Sequence, residues 1–283
     1  MKFGIREICD VVLRAKDDVK IGNQHFSADE PVIYFDSAKT SSVEGAATTV
    51  YATGGRGNSR LIAWEGEKTV TFTMEDALLS PLGFSILSGA GLIDASSLEP
   101  IYVHTTLKTR ATVGSADQIS INLKTIMGDS LKTNQEIAEK TAYAFIMEKG
   151  EIKARLTPAA PTTSSGVVVF GGVPDEYDQD DEVTVLVDFY VKASSGAYEM
   201  DITPDKFGGY YYLEASTLFR RQDTGKDMAA TFIIPKVKIQ SNFTFSMASS
   251  GDPSTFTFTM DAFPDYTKFD KTKEVLFVLQ IIE

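Results

Sequence analysis

The chain has 283 residues, of which 43% are hydrophobic and 11% aromatic, so it can form one large β domain or two smaller ones and is not disordered by composition. The formal net charge of −12 excludes a protein that wraps nucleic acid, because that binding needs lysine and arginine to neutralise phosphates. Cys9 is the only cysteine, so an intramolecular disulfide is excluded and a buried apolar role is predicted for its side chain.

Two further features predict the compartment. The segment from Met1 to Asp10 is interrupted by charged residues and is not typical of a signal peptide. The longest apolar runs are far shorter than the roughly 18 residues that span a bilayer. We therefore expect a protein that is made in a reducing cytoplasm and has no membrane association.

Alternation of apolar and polar residues dominates the sequence and predicts a mainly β fold. Thr69 to Met74 alternates in the same way as Thr255 to Met260, which indicates either a duplication or two strands in the same packing environment. Further strands are predicted at about 5–14, 31–36, 60–64, 101–110, 118–126, 141–148, 183–192 and 209–219.

Two helices are predicted. The first has Ser80 as its N-cap, Pro81 at the first helical position and Gly89 as a left-handed stop. A weaker pattern predicts a second helix from Asn134 to Lys140.

Two segments predict loops. Residues 37–59 are rich in Gly, Ser, Thr and Ala, and so long a loop inside a compact domain usually binds a partner or is mobile. Residues 157–166, rich in Pro, Ser and Thr, predict a linker or loop boundary. The predicted organisation is a β core from residues 1–98 and 183–283, with 99–182 as an insertion or additional β subdomain.

The C-terminal part shows the clearest alternation. Lys236 to Met247 predicts a long half-buried strand, which forms a hairpin with residues 255–260 across a turn at 248–254. Val275 to Ile282 is nearly all apolar and predicts a last strand that is buried on both faces.

Residues that carry chemistry are sparse, and the sequence predicts no enzyme, no cofactor and no metal site. His25 and His104 lie in separate segments without cysteine or clustered carboxylates, which opposes a zinc site. The acidic run at 175–182 lacks the spacing of a calcium loop, so a solvated loop is the main interpretation and a calcium site the alternative. The tyrosines at 210–212 are interpreted as core and edge positions of a strand, with a carbohydrate groove as the alternative.

Three stretches carry a family resemblance. Gly209 to Arg221, then Asp227 to Ile239, then Asn242 to Phe263 with its Gly251-Asp252-Pro253 turn resemble virion structural proteins of large tailed phages, in particular the bacteriophage major tail tube protein. The first hundred residues agree in plan, with long strands, the segment at 37–59 and a short helix after the 69–74 strand. The middle of the chain, 99–182, carries no such likeness.

The resemblance implies a tail-tube-like β-sandwich or barrel with a short flanking α-helix and an inserted segment. Subunits of that family form hexameric rings that stack into a hollow tube, and DNA passes through the lumen without specific binding. The implied partners are copies of the same chain, then sheath, tape-measure and baseplate proteins. The implied location is the virion tail, after synthesis in the host cytoplasm.

The resemblance also gives the segment at 37–59 a role. It would reach a neighbouring subunit or the next ring and order on assembly. Carboxylates facing the lumen would repel DNA phosphates over about 8 Å at physiological salt. The self-assembly residues assigned in this segment are Ser42, Val43, Glu44, Val50, Tyr51, Arg56 and Asn58.

Three alternatives stay open. Another virion component, such as a baseplate or decoration protein, is favoured by the size of the insertion. A β-sandwich carbohydrate-binding or adhesive module is favoured by the clustered tyrosines and opposed by the missing export signal and disulfides. A hydrolase would need a pair of carboxylates at a defined separation, which the sequence does not supply.

Overall fold

The structure, a computed structural model, describes residues 2–5, 7–89, 91–162, 165–245, 247, 250 and 255–282. The chain forms two compact units, one from Met1–Ile93 with Met200–Glu283 and the other from Asp94–Glu199. The fold is mainly β, as predicted, with antiparallel sheets and two short helices in the described part of the chain. Neither of these helices is long and apolar enough to span a membrane.

The first unit contains most of the long strands. They are β1 (Phe3–Ile5), β2 (Asp10–Ala15), β3 (Val19–Ile21), β4 (Gln24–Phe26), β5 (Pro31–Phe35), β6 (Ala38–Gly54), β7 (Ser59–Asp76), β17 (Tyr210–Arg221), β18 (Asp227–Ile239), β19 (Phe256–Ala262) and β20 (Val278–Ile282), with helix α1 (Pro81–Ser88). Strands β8 (Gly91–Asp94) and β16 (Tyr198–Asp201) lie where the chain passes between the units.

The second unit is also built of antiparallel strands. They are β9 (Ile101–Gly114), β10 (Gln118–Asn122), β11 (Gln135–Ile137), β12 (Tyr143–Glu148), β13 (Glu151–Arg155), β14 (Val167–Phe170) and β15 (Glu182–Ala193), with helix α2 (Leu123–Met127) and a 3-10 turn at Gly128–Ser130.

A nine-stranded antiparallel sheet organises the first unit. Its strands follow the order β5-β2-β17-β18-β19-β7-β6, while β1 pairs with β17 and β20 pairs with β18. Alternate residues of these strands form one apolar core, which Ile86 and Leu87 of α1 and Ile21 of β3 join. Cys9 belongs to this core and is 5% exposed, which confirms its predicted burial.

The two strands with matching sequences are neighbours in this sheet. Met74 of β7 lies opposite Phe258 of β19, and Phe72 lies opposite Met260, so each phenylalanine faces a methionine. All four side chains are fully buried in the same core. Their shared pattern therefore matches a shared packing environment, which is one of the two explanations the sequence left open.

Helix α1 has the caps that the sequence predicts. The Gly83 N–H donates to Ser80 Oγ at 2.9 Å, Pro81 is the first helical residue, and Gly89 ends the helix with a φ of 68°. The second predicted helix is wrong, because residues 135–137 form β11 and pair with β15. A helix occurs instead at α2, where the Asn122 side chain accepts from the Thr125 N–H at 3.0 Å and ends the preceding strand.

The C-terminal hairpin is shorter than predicted. Strand β18 ends at Ile239 rather than Met247, because the chain then turns so that the rings of Phe243 and Phe245 lie 5.0 and 5.2 Å from the ring of Phe84 in α1. The predicted turn at 248–254 falls largely outside the described residues. The last strand is not buried on both faces, since Leu279 and Ile282 are 39% and 66% exposed and point to opposite faces.

The second unit forms a sheet in the order β13-β12-β15-β9-β10-β14, with β11 also on β15. Side chains of β10 and β14 share one core cluster with the buried side chains of β12 and β15, so the sheet folds over on itself. The sequence assigned residues 183–283 to the β core and 99–182 to the insertion. In the structure, β15 pairs with β9 from Glu182↔Thr112 to Ala193↔Ile101, and the second unit extends to Glu199. Of the predicted linker at 157–166, residues 163 and 164 lie outside the described part of the chain.

Candidate self-assembly surface

The segment at 37–59 is not a loop, and that prediction is wrong. Strands β6 and β7, of 17 and 18 residues, form one antiparallel hairpin from the pair Ala38↔Asp76 to the pair Gly54↔Ser59. The small and polar composition of the segment is typical of loops, but here it belongs to strands that have no buried face along most of their length.

The tip of the hairpin is a turn that depends on glycine. Gly55 and Gly57 have φ values of 79° and 89°, in the region that side chains with a Cβ rarely adopt. Asn58 follows with a φ of 51°, and its N–H donates to the Gly55 carbonyl at 3.1 Å. The predicted site residues Arg56 and Asn58 both lie in this turn.

The outer half of the hairpin has no contact with a core. Every residue of β6 from Glu44 to Tyr51 is exposed, and so is every residue of β7 from Ser59 to Thr69. Burial begins only where β7 pairs with β19, at residues 71–76. A two-stranded ribbon of this kind is marginally stable in water unless it packs against another surface.

One face of the outer hairpin is apolar. Val50 lies opposite Trp64 and Ala52 lies opposite Ile62, so these four side chains share what we call the apolar hairpin face. Val50, Ile62 and Trp64 are 62%, 54% and 53% exposed, and the adjacent Leu61 is 65% exposed. Clustered exposed apolar side chains of this kind mark interaction surfaces.

The opposite face is more polar. Tyr51 pairs with Ala63 on this face, and the Arg60 guanidinium lies 4.0 Å from the centre of the Tyr51 ring. Further towards the base, Lys68 Nζ lies 3.0 Å from Glu65 Oε2, in an exposed ion pair that contributes little to stability. The hairpin is therefore amphipathic, and the described residues leave its apolar side exposed.

The other predicted site residues are spread along β6. Val43 lies opposite Phe72 and packs against the core, while Ser42 and Glu44 alternate to the other side of the strand. Val50 joins the apolar hairpin face, whereas Tyr51 belongs to the opposite face. The seven residues therefore do not form one cluster, and their role in assembly stays a prediction.

Leu61, Ile62 and Trp64 are absent from that predicted set. The sequence predicted 60–64 as a short strand separate from the segment at 37–59, so these residues were not considered with the assembly site. The sequence does contain a signal for the long second strand. The interior of 59–76 has no proline and only one glycine, Gly66, which is compatible with a single continuous strand.

Strand β6 is also an open edge of the sheet. It is the terminal strand of the order, so among the strands that the structure describes none pairs with the outer side of its 17 residues. Soluble monomers protect such edges with proline, lysine or short strands. Between Ala38 and Gly54 the strand has no proline and only Lys39 and Glu44 as charged residues, so it is open to pairing with another chain.

The remaining candidate residues are the acidic run at 175–182 and the tyrosines at 210–212. In the acidic run, the Asp178 N–H donates to Asp181 Oδ2 at 2.9 Å within a turn, and the described residues contain no group of three or more potential metal ligands. Tyr211 and Tyr212 are buried and Tyr210 is 41% exposed, as expected for core and edge positions. The groove interpretation of these tyrosines is wrong, because two of the three rings are inaccessible.

Comparison with known proteins identifies the family. None of the curated proteins matches the sequence. The model of the YomU/Tube protein family matches residues 4–276, nearly the whole chain, and is consistent with the resemblance to a phage tail tube protein. The chain therefore belongs to the YomU/Tube protein family.

Proposed function

We propose that this chain is the repeating structural subunit of a phage tail tube. Copies form rings, six to a ring by the family resemblance, and the rings stack into a hollow conduit for DNA ejection. The observation that carries the proposal is the outer half of the β6–β7 hairpin, whose apolar face the described residues of the subunit leave exposed to water.

Two surfaces support self-assembly. The apolar hairpin face gains stability when a neighbouring copy removes its side chains from water. The open edge of β6 allows the sheet of one subunit to continue into the next, and closing a ring of subunits removes open edges. Membership of a tube protein family makes a second copy the natural partner for both surfaces.

The proposal includes the location and the other partners. The subunit functions in the virion tail, where sheath, tape-measure and baseplate proteins contact the tube. The net charge of −12 suits a conduit that must not retain DNA, because surplus carboxylates repel phosphates. The role is structural and non-enzymatic, in keeping with the family.

A shortened hairpin tests the proposal. Ala47 and Lys68 are register partners, so a two-residue Asn-Gly turn can join them in place of residues 48–67. Because the removed residues have no contact with the core, we expect the variant to keep the melting temperature of the wild type. The wild type should form hollow tubes of uniform diameter in negative-stain electron microscopy over a concentration series, while the variant should sediment as a monomer.

Trp64 gives an independent readout, because it is the only tryptophan in the chain and lies on the apolar hairpin face. Its emission should shift to shorter wavelength as tubes form. Tubes formed equally well by the shortened variant would contradict the proposed role of the hairpin. Closed rings that never stack would instead favour a baseplate or decoration protein.

A further inference from the structure

The outward face of the sheet in the second unit carries three exposed tyrosines. Strand β15 alternates, so Val185, Val187 and Phe189 are buried while Asp188 and Tyr190 point to the other side. The exposed fractions are 43% for Tyr102 of β9, 48% for Tyr143 of β12 and 37% for Tyr190. This surface is separate from the hairpin, and the proposed tube function does not use it.

The three tyrosines lie on one diagonal across adjacent strands. Tyr143 is opposite Asp188, two residues from Tyr190 on the same face of β15. Tyr190 is opposite His104, two residues from Tyr102 on the same face of β9. Diagonal neighbours in an antiparallel sheet are about 7–8 Å apart, so the rings span about 15 Å in a row.

Polar groups lie between these rings. His104 Nε2 is 3.0 Å from Asp188 Oδ1, and the His104 ring lies 5.7 Å from the Tyr190 ring at an angle of 62°. The row therefore offers aromatic faces, which suit flat amphipathic rings, beside hydrogen-bonding donors and acceptors. We call Tyr102, His104, Tyr143, Asp188 and Tyr190 the tyrosine face.

Basic side chains surround the tyrosine face. Lys140 Nζ lies 5.0 Å from the centre of the Tyr102 ring, and Lys192 lies opposite Tyr102 in the register. Lys108 lies at the other end of the row, two pairs beyond Asp188 and opposite Leu186. Among the described residues, none of these three lysines has a carboxylate within 4 Å, whereas Arg110 has Glu182 at 3.5 Å. Asp188 and Glu136, which lies opposite Lys192 in β11, are carboxylates on the same face, so the three lysines exceed them by one positive charge and favour an anionic ligand.

We propose that the tyrosine face binds an acidic polysaccharide. The tyrosine rings stack on successive sugar rings, Asp188 and His104 hydrogen-bond sugar hydroxyls, and the lysines attract the carboxylates of the polymer. A single-stranded nucleic acid also stacks on aromatic rings. The Asp188–His104 pair favours the polysaccharide, because sugar hydroxyls can both donate to the carboxylate and accept from the imidazole, and the oligothymidylate measurement below separates the two ligands.

Binding to defined polymers tests the inference. Polygalacturonate and hyaluronate are the acidic probes, and polygalacturonate with its carboxyl groups reduced to alcohols is the matched neutral probe. Isothermal titration calorimetry on the full chain, below its assembly concentration, should show binding to an acidic probe and weaker binding to the reduced one. Tyr143→Ser and Tyr190→Ser should each weaken binding about threefold to tenfold, the contribution of one stacked ring.

Tyr34→Ser is the matched control, because Tyr34 is 65% exposed in the first unit and lies outside the row. This variant should bind as the wild type does, and circular dichroism should show all variants folded. The inference would be overturned if the wild type bound neither acidic probe, or if the tyrosine variants bound as tightly as the wild type. Tighter binding of a 20-residue oligothymidylate, or self-association abolished by Tyr190→Ser, would also overturn it. Self-association and polymer binding are measured in separate assays on the same variants, so the two proposals fail separately.

Discussion

Replacing Ile62 by alanine tests whether the apolar hairpin face is buried on assembly. Ile62 is 54% exposed in the subunit, and complete burial of an isoleucine contributes about 1.5–3 kcal/mol. Covering the exposed half against a neighbour therefore contributes about 0.8–1.6 kcal/mol. Loss of that contribution raises the critical concentration for assembly roughly fourfold to fifteenfold. The increase for Ile62→Ala should lie at the lower end of this range, because alanine keeps Cβ.

A sedimentation assay measures this change. Tubes are pelleted at a series of total concentrations, and the subunit concentration left in the supernatant is the critical concentration. Thr53→Ala is the control, because Thr53 is exposed on the same hairpin but lies on the opposite face. A critical concentration of Ile62→Ala within a factor of two of the wild type, or an equal rise for Thr53→Ala, would refute the assignment of the buried face.

Three further predictions concern the core of the first unit. Burial raises the pKa of Tyr211 to about 12 from its ordinary value of 10.0. Because the pKa is higher in the folded state, the free energy of unfolding should fall by up to about 2.7 kcal/mol between pH 10 and 12. In urea unfolding, Tyr211→Phe should lack this part of the fall. Gly89→Ala should lower the melting temperature, because φ is 68° and the new Cβ would lie 2.5 Å from the Gly208 nitrogen; an unchanged melting temperature would contradict this geometry. Met74→Phe and Phe258→Met should each lower the free energy of unfolding by about 1–3 kcal/mol. The double variant should recover most of this loss, because the two side chains are opposite and their total volume is conserved. Additive losses in denaturant unfolding would disprove the pairing.

The sequence predicts elements well where the signal is local. The caps of α1 at Ser80 and Gly89 act through bonds and dihedral angles within a few residues, so their positions match the structure. The alternation of β15 is equally local, because each buried residue is followed by an outward one. Helix α2 was missed because one Asn122 side-chain bond ended a strand that the apolar pattern would have continued.

The hairpin shows why the candidate site was only partly predictable. Apolar alternation predicts a strand when one face is buried, but the outer half of β6 and β7 buries neither face in the subunit. Its strand structure comes from the ladder between the two arms, which a single window of sequence does not reveal. The tyrosine face was equally hidden from the local sequence, because the pairing of three strands brings Tyr102, Tyr143 and Tyr190 together.

Salt dependence separates the two forces that act between copies. A net charge of −12 on each subunit opposes association, and the range of that repulsion falls from about 10 Å at 0.1 M salt to about 3 Å at 1 M. Burial of the apolar hairpin face is not screened in this way. The critical concentration should therefore fall as sodium chloride is raised from roughly 0.05 to 0.5 M, a range over which the screening length shrinks severalfold. Ile62→Ala should shift the whole curve upward in parallel. A critical concentration that rises with salt would mean that ion pairs between copies supply the attraction, and the apolar face would then not be the main contact.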